Sequence, residues 1–448
     1  MFTIFKRLTW KTSLLTSLIC LLVFTIALAA SGDLDTTFSG DGRVTSYAVP
    51  SNPNRYDIAI DIAFQSNGKI VAAGYSFVPS TNDQDFALIR YNTGGSLDTT
   101  FHQDGRLTTN LGGVDYAYDV AVQSNGKIIA SGRSCATGVT ACDVAIVRYN
   151  SGGGLDTTFS GDGKVLTDFG GDTNGSTGGL VIQSDGKIVV SGYMWNGTDY
   201  DFAVYRYNAN GSLDTTFSGD GMVNIGFGAG RQDQATDLAV QNSDGKIVVG
   251  GFTGDASGNN NDFALMRLNS NGSLDTTFSG DGRQTTHFGG DEYAYGLSGH
   301  PNGRIVLVGR KIGASGNYFA ISRYNTNGSL DTTFNGTGMG RKVFSIGPGA
   351  GTWQSWAGDV TVQPDNKIVV LGLTSDFASI NDIALVRLNP GGGFDTTFSG
   401  DGKVFIDFGG DDYGYSVVRQ PSDGKYVLVG NTNNGIGGID FALARLLP

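Results

Sequence analysis

The chain has 448 residues with 70 Gly, 9 Pro and a net charge of −12, and Glu appears once, at Glu292, so its acidity is carried by Asp. Asp and Gly favour turns where Glu favours helices, which argues against a helical or α/β protein and for many short strands joined by tight turns. A strongly acidic surface repels phosphate backbones, so nucleic acid is not an expected partner and the charge is read as serving solubility.

The first element is a leader. Lys6, Arg7 and Lys11 precede an almost wholly apolar run over 14–28, and Ala27, Leu28 and Ala29 supply a small-residue cleavage pattern, so residues 1–30 are predicted to be a signal peptide. Its removal takes the net charge to −15, and no second long apolar run follows, so no membrane association is expected afterwards. Cys20 leaves with the leader, and the remaining Cys135 and Cys142, seven residues apart, are predicted to form a disulfide in an oxidising compartment. A lone pair lacks the further ligands a zinc site needs.

Residues 31–448 are a repeat. The string LDTTF begins at Leu34, Leu97, Leu155, Leu213, Leu274 and Leu330 and returns as FDTTF at Phe394, seven copies spaced 56 to 64 residues apart. After each tag come GDG (QDG in the second unit, GMG in the sixth) and a short strand, then an Ala/Val-rich strand such as DVAVQ from Asp119. A hairpin turn follows, then a strand such as KIVVSGY from Lys187, and the unit ends on DFALIRYN or a near copy. The hairpin carries Asn-Gly or Asp-Gly at Asn67, Asn125, Asp185, Asp244, Asn302 and Asp423, read as a type I′ turn with two positive φ values; only Pro364, Asp365 and Asn366 depart. Four strands per unit of about sixty residues is the content of one propeller blade. The prediction is all-β: a seven-bladed β-propeller of four-stranded antiparallel blades. The Ala/Val strand lies innermost, and the first outer strand, from Arg43, completes the last blade and closes the ring.

LDTTFSGDGKV, QSDGKIVVSG and DFALARY together resemble the delta-60 repeat family of β-propellers, and the likeness runs from Leu34 to Leu447. The resemblance implies an exported bacterial protein, secreted or periplasmic on the cell exterior, and carries no common activity.

Residues present in every blade are read as architecture. The tag Asp, as at Asp98, Asp156 and Asp214, is expected to accept hydrogen bonds from the Thr amides after it, with the tag Phe buried. An Arg closes every fourth strand, as at Arg90, Arg148 and Arg206, eight residues before the tag Asp, and a bidentate Arg–carboxylate pair is predicted there. Oxygen-rich DTTFSGDG leaves Ca²⁺ as an alternative, but the alternation of carboxylates in a calcium loop is missing; no metal site and no other cofactor are predicted.

The tag-to-GDG crossover and the hairpin keep nearly constant lengths, whereas the other two loop classes vary, and both variable classes emerge at one end of the ring. Insertions confined to one face mark the binding face. Its candidates are Tyr56, Trp195, Tyr200, Arg231, Tyr293, Trp353, Trp356 and Tyr413, whose rings offer stiff amphipathic area suited to a protein or a glycan. Tyr116, Tyr293, Trp356 and Tyr413 stand seven residues before the hairpin Gln or His300, so some of them also pack. His102, His287 and His300 lie in separate units, and no catalytic motif is present, so no catalytic residue is assigned. The expectation is a monomeric exported binding or adhesion module for an extracellular or periplasmic protein or glycan. The alternatives are a structural scaffold, or a glycosidase-like hydrolase using Asp291, Glu292, Asp411 and Asp412.

Overall fold

A computed structural model describes residues 29–50, 52, 55–80, 82–136, 142–168, 176–241, 244–347, 353–375, 380–433 and 438–448. The segment predicted to be a signal peptide therefore lies outside the described residues, apart from Ala29 and Ala30. Among the described residues no helix is long and apolar enough to cross a membrane.

Among the described residues twenty-eight strands form seven antiparallel four-stranded blades. The second blade shows the pattern: Val114–Val122 innermost, then Ile128–Cys135, Cys142–Tyr149 and, outermost, Lys164–Asp168. The first six blades are each continuous in sequence. The seventh takes Asp411–Arg419, Tyr426–Asn433 and Gly438–Leu446 from the C-terminal end and its outer strand, Arg43–Ser46, from the N-terminal end, so the ring closes as predicted. A two-residue parallel bridge, Arg55 to Gly438 and Tyr56 to Ile439, further ties the first blade to the last.

Burial falls between blades. Seven hydrophobic clusters each draw on two neighbouring blades, one combining Val71, Ala73 and Leu88 of the first with Val120, Ile128 and Ala130 of the second. A blade alone leaves both faces open, so the ring buries as a unit. The tag phenylalanines Phe38, Phe101, Phe159, Phe217, Phe278, Phe334 and Phe398 sit in these seams with no exposed surface.

The hairpin differs from the type I′ expectation. Gly68 has φ 80°, but Asn67 is not in the left-handed region, and Gln65 N–H donates to Lys69 O while Gly68 N–H donates to Gln65 O. This is a three-residue loop, a type I turn closed by one left-handed residue. The Asn67 side chain instead accepts from Lys69 N–H at 3.1 Å, as Asp185 does from Lys187. Asn366, with φ 68°, takes the glycine's place in the one unit that lacks the dipeptide; Asn tolerates that conformation.

The tag Asp behaves as read: Asp98 Oδ1 accepts from Thr100 N–H at 3.2 Å and from its hydroxyl at 2.7 Å. The Arg clamp is not bidentate. Arg90 gives the carboxylate only Nε, at 2.6 Å, and spends Nη1 on Ser151 O of the next blade and Nη2 on Thr100 Oγ1. Its guanidinium lies 4.5 Å above the Phe101 ring. The second cation on the same oxygen is the hairpin Lys69, 2.7 Å away, a pairing the sequence reading missed although that Lys or Arg recurs in all seven units. The reason is geometric: a guanidinium aimed along the seam reaches one carboxylate oxygen of its own blade and, through Nη1, a carbonyl of the neighbouring blade, and that last contact ties the two blades. The arrangement recurs through Arg445 and Lys425 on Asp35, where it joins the chain's two ends. Each tag carboxylate thus carries two cations, one from the fourth strand and one from the hairpin.

Candidate functional site

The inner strands decide what faces the axis. In the described blades each carries a bulge, between Ala117 and Asp119 in the second and at the equivalent place in the others. A bulge seats an extra residue and re-aims its neighbours. Here it turns two residues per blade toward a channel of about 160 Å³, lined by Asp61, Tyr118, Asp119, Asp237, Tyr295 and Tyr415 among others.

Four of these positions are carboxylates: Asp61, Asp119, Asp237 and Asp359. Each accepts a hydrogen bond from the following blade, from Val120 N–H at 3.0 Å, Leu180 at 2.6 Å, Leu297 at 2.6 Å and Val417 at 2.7 Å. The alternate blades have Gly179, Gly296 and Ser416 because the space is filled: a Cβ on Gly179 would meet Asp237 Oδ1 at 2.5 Å, and one on Gly296 would meet Asp359 Cα at 2.7 Å. The sequence signal was available, since all four precede the hairpin Gln by four residues. Burial, then the charge of Asp61 and a hydrogen bond to it, hold the Asp119 carboxyl far above the usual range. Burial followed by the charge of Asp359 does the same at Asp237. Burial pushes Asp359 up to about 7 against the Val417 amide.

These groups predict a pH profile. A carboxyl whose folded pKa is raised weakens the fold as pH climbs from about 4 through that raised value. The tag aspartates do the opposite. Burial alone would raise Asp98, but Lys69, the Thr100 hydroxyl and amide, and Arg90 pull it well below the usual range. Their stabilisation is present above about pH 4 and is lost as pH falls below it. The melting temperature should therefore peak between about pH 4 and 6 and decline toward pH 8. Asp359→Asn should flatten the alkaline limb; a melting temperature that rises from pH 5 to pH 8 would count against the assignment.

Above the channel, on the variable face, the aromatic candidates divide. Tyr56, 44 % exposed, leans on Tyr75 at 6.4 Å; Tyr75 meets Tyr116 edge-on at 4.7 Å, and Tyr116 stacks with Tyr118 at 6.3 Å. Tyr413 stacks with Tyr415 at 6.5 Å and shares a hydrogen bond of 2.9 Å with Asn381. Burial, then the neighbouring Tyr413, push the Tyr415 phenol up to about 12. Arg133 lies over Tyr116 and Tyr118 at 5.1 and 5.8 Å. Arg310 lies over Tyr293 and Trp356 at 4.8 and 5.9 Å. Tyr56 thus belongs to a run of rings on the first and second blades braced by Arg133, Tyr413 pairs with Tyr415 on the seventh, and Tyr293 and Trp356 form a separate group around Arg310. A cavity of about 370 Å³ opens beside Tyr56, Tyr75 and Tyr116.

The other candidates stand apart. Trp195 and Tyr200 cross at 5.2 Å on the third blade's outer hairpin. Arg231 is engaged by Thr253, through Oγ1 at 2.7 Å and O at 3.2 Å. Trp353 lies against its own loop, where a Cβ on Gly347 would fall 1.9 Å from the indole. Cys135 and Cys142 are joined across the second blade's outer hairpin, as predicted.

Carboxylates also gather at the joints. Asp57, Asp115, Asp233, Glu292 and Asp412 are fully buried and accept the amide of the segment entering their strand, as Asp115 does from Leu111 at 2.6 Å. Asp291 and Asp411 accept from Asn261 and Asn381 of the preceding blade, each at 3.2 Å. All four carboxylates considered for a hydrolase, Asp291, Glu292, Asp411 and Asp412, therefore hold joints. Among the described residues two joints gather three ligand-type side chains: Asp262, His287 and Glu292, and Asp382, Asp407 and Asp412.

A family described as "domain of unknown function (DUF5122) beta-propeller" matches residues 65–101, 123–159, 183–217, 242–278, 300–334, 363–398 and 422–448. Among solved structures, the chain is similar to a protein of unknown function from Dyadobacter fermentans, at 14 % identity over 91 % of this chain and 98 % of that one, with a TM-score of 0.45. It is also similar to an α-L-arabinanase from Penicillium chrysogenum complexed with arabinobiose, at 10 % identity, 90 % and 97 % coverage and a TM-score of 0.45. A third is Sqt1 from Chaetomium thermophilum, at 10 %, 88 % and 97 % coverage, and 0.42. No curated protein matches the sequence.

Proposed function

The chain belongs to the DUF5122 β-propeller family, and from that premise we propose that it is an exported binding module, working as a monomer, that takes a protein or glycan at the aromatic mouth of its variable face. The observation that carries this reading is the departure from the repeat. What all seven blades share, the Asp, Arg, Lys and Phe of the seams, lies at the constant end and is consumed by packing. What differs is the ring of Tyr56, Tyr75, Tyr116, Tyr118, Tyr413 and Tyr415 with Arg133, gathered from the seventh, first and second blades. Rings with two torsions lose little entropy on binding, and a hydroxyl at the edge of each supplies hydrogen bonds. A pocket of about 370 Å³ admits a sugar unit or one large side chain.

An array of glycans and surface proteins probed with the full protein tests the reading. Selective binding is expected, weakened about ten-fold or more by Tyr56→Ala, as for an aromatic at the centre of an interface. Leu166→Ala, at an exposed position on an outer strand, should leave it unchanged. Binding indifferent to Tyr56→Ala and Tyr118→Ala would remove the mouth from the account, and silence across the array would put a structural scaffold ahead.

A further inference from the structure

We propose that Asp262, His287 and Glu292 form a binding site for one divalent transition-metal ion of the zinc class, at the joint between the fourth and fifth blades. The joint brings three elements together. Asp262 opens the strand Asp262–Leu268, His287 directly follows the outer strand Arg283–Thr286, and Glu292 lies in the inner strand Asp291–Gly299 of the next blade. His287 Nδ1 is 2.7 Å from Asp262 Oδ1 and 3.3 Å from Glu292 Oε2, and the three donor atoms lie within 4.8 Å of one another. Donors held about 2.0–2.2 Å from one tetrahedral zinc-class ion are separated by about 3.3–3.6 Å, so small side-chain shifts close the set. One imidazole with two carboxylates is a donor set for a borderline cation rather than for Ca²⁺.

A second observation points to a ligand. Glu292 is fully buried; its Oε2 accepts from Phe288 N–H at 3.1 Å, yet its Oε1 has no hydrogen-bond partner among the described residues. At two other joints the neighbouring strand supplies a hydroxyl at this place, Ser76 donating to Asp57 and Thr253 to Asp233, whereas Asp115 Oδ1 and Asp412 Oδ1 lack a partner among the described residues as Glu292 Oε1 does. In the fifth blade that register position is Lys311, whose ammonium donates to Phe288 O at 2.7 Å instead. A buried carboxylate oxygen without a donor is costly, and a bound cation removes the cost.

The site is also singular. The equivalent joint between the sixth and seventh blades has Asp382, Asp407 and Asp412, all oxygen donors. Only the fourth and fifth blades put an imidazole there, beside the chain's one Glu. The His287 side chain is 62 % exposed, which leaves coordination positions open to water or to a ligand.

Isothermal titration of the untagged full protein with ZnCl₂ tests the proposal. One ion per chain is expected, weakened about ten-fold or more by His287→Ala. His287→Asp, which copies the oxygen-only joint, should lose zinc preference in favour of Mg²⁺ or Ca²⁺. Both substitutions fall on an exposed side chain, and an unchanged melting temperature without metal confirms that the fold is kept. Cobalt added to the parent should give visible d–d bands that vanish in His287→Ala. No saturable zinc binding up to about 1 mM, or binding unaltered in His287→Ala, overturns the proposal.

Discussion

Arg206→Ala should destabilise the protein by about 3 kcal/mol or more, the range in which breaking a buried ion pair falls. Arg206 is 5 % exposed and makes four contacts at one seam. It gives Nε to Asp214 at 2.7 Å, Nη1 to Ser270 O of the next blade and Nη2 to Thr216 at 3.4 Å, and covers the Phe217 ring at 4.5 Å. Truncation leaves Asp214 with Lys187, 3.0 Å away and more exposed, which softens the loss and places it at the lower end of the range. The inter-blade bond to Ser270 has no substitute. The double variant Arg206→Ala with Asp214→Ala should be less destabilised than the sum of the two singles, because the second change removes the stranded carboxylate. Urea midpoints read both. Binding at the opposite face should not change, and an unaltered midpoint in Arg206→Ala would sink the clamp.

The seam shows where sequence reasoning reaches. Ring, blade count, strand order and closure were legible because they are written seven times: the tag, the hairpin dipeptide and the closing Arg recur at fixed offsets. Even the residues of the clamp were visible. Its geometry was not, because the direction of a guanidinium depends on a neighbouring blade some sixty residues away, whose carbonyl competes with the second carboxylate oxygen. The hairpin Lys was hidden for a related reason. It reads as the solvated flank of a turn, yet it reaches across the constant face to a tag about thirty residues later, as Lys69 does to Asp98.

The functional face was legible in outline only. Variable loop length pointed to it, and the candidates fall into separate groups there, Tyr56 beside Tyr75 and Tyr116, Tyr413 beside Tyr415, and Tyr293 and Trp356 under Arg310. Tyr75, Arg133 and Arg310 were passed over because they sit in second strands that read as core, one residue before the strand leaves it. The axial carboxylates were overlooked because an Asp beside Val and Ala on an inner strand reads as a strand edge. What brings each of them to the axis is a one-residue bulge, which has no signature of its own in the sequence.

That bulge makes the other large prediction. Gly309→Ala should cost more than about 3 kcal/mol and can prevent folding altogether, beyond the usual penalty for an added methylene. The ladder between Asp291–Gly299 and Ile305–Gly313 shifts register between Ala294 and Gly296, and the Tyr293 carbonyl turns into the space beside Gly309. A Cβ there would lie 1.9 Å from that oxygen and 2.7 Å from Ala294 Cα, both backbone atoms with no rotamer to yield. Gly74, Gly132, Gly251, Gly372 and Gly430 meet the equivalent carbonyl at 1.7 to 2.1 Å, so the constraint belongs to the blade rather than to one position. Gly299→Ala in the same blade, where nothing lies within 4 Å, is the control and should stay within about 0.5 kcal/mol. Partial relief of Gly309→Ala could come only from flattening the bulge. Flattening would swing Tyr293 and Tyr295 off the channel and draw the Arg310 guanidinium from its ring, so any folded fraction should bind the array ligand more weakly. Equal urea midpoints for the two variants would show that the inner strand can straighten without loss, and would take with them the argument that the bulge sets the mouth.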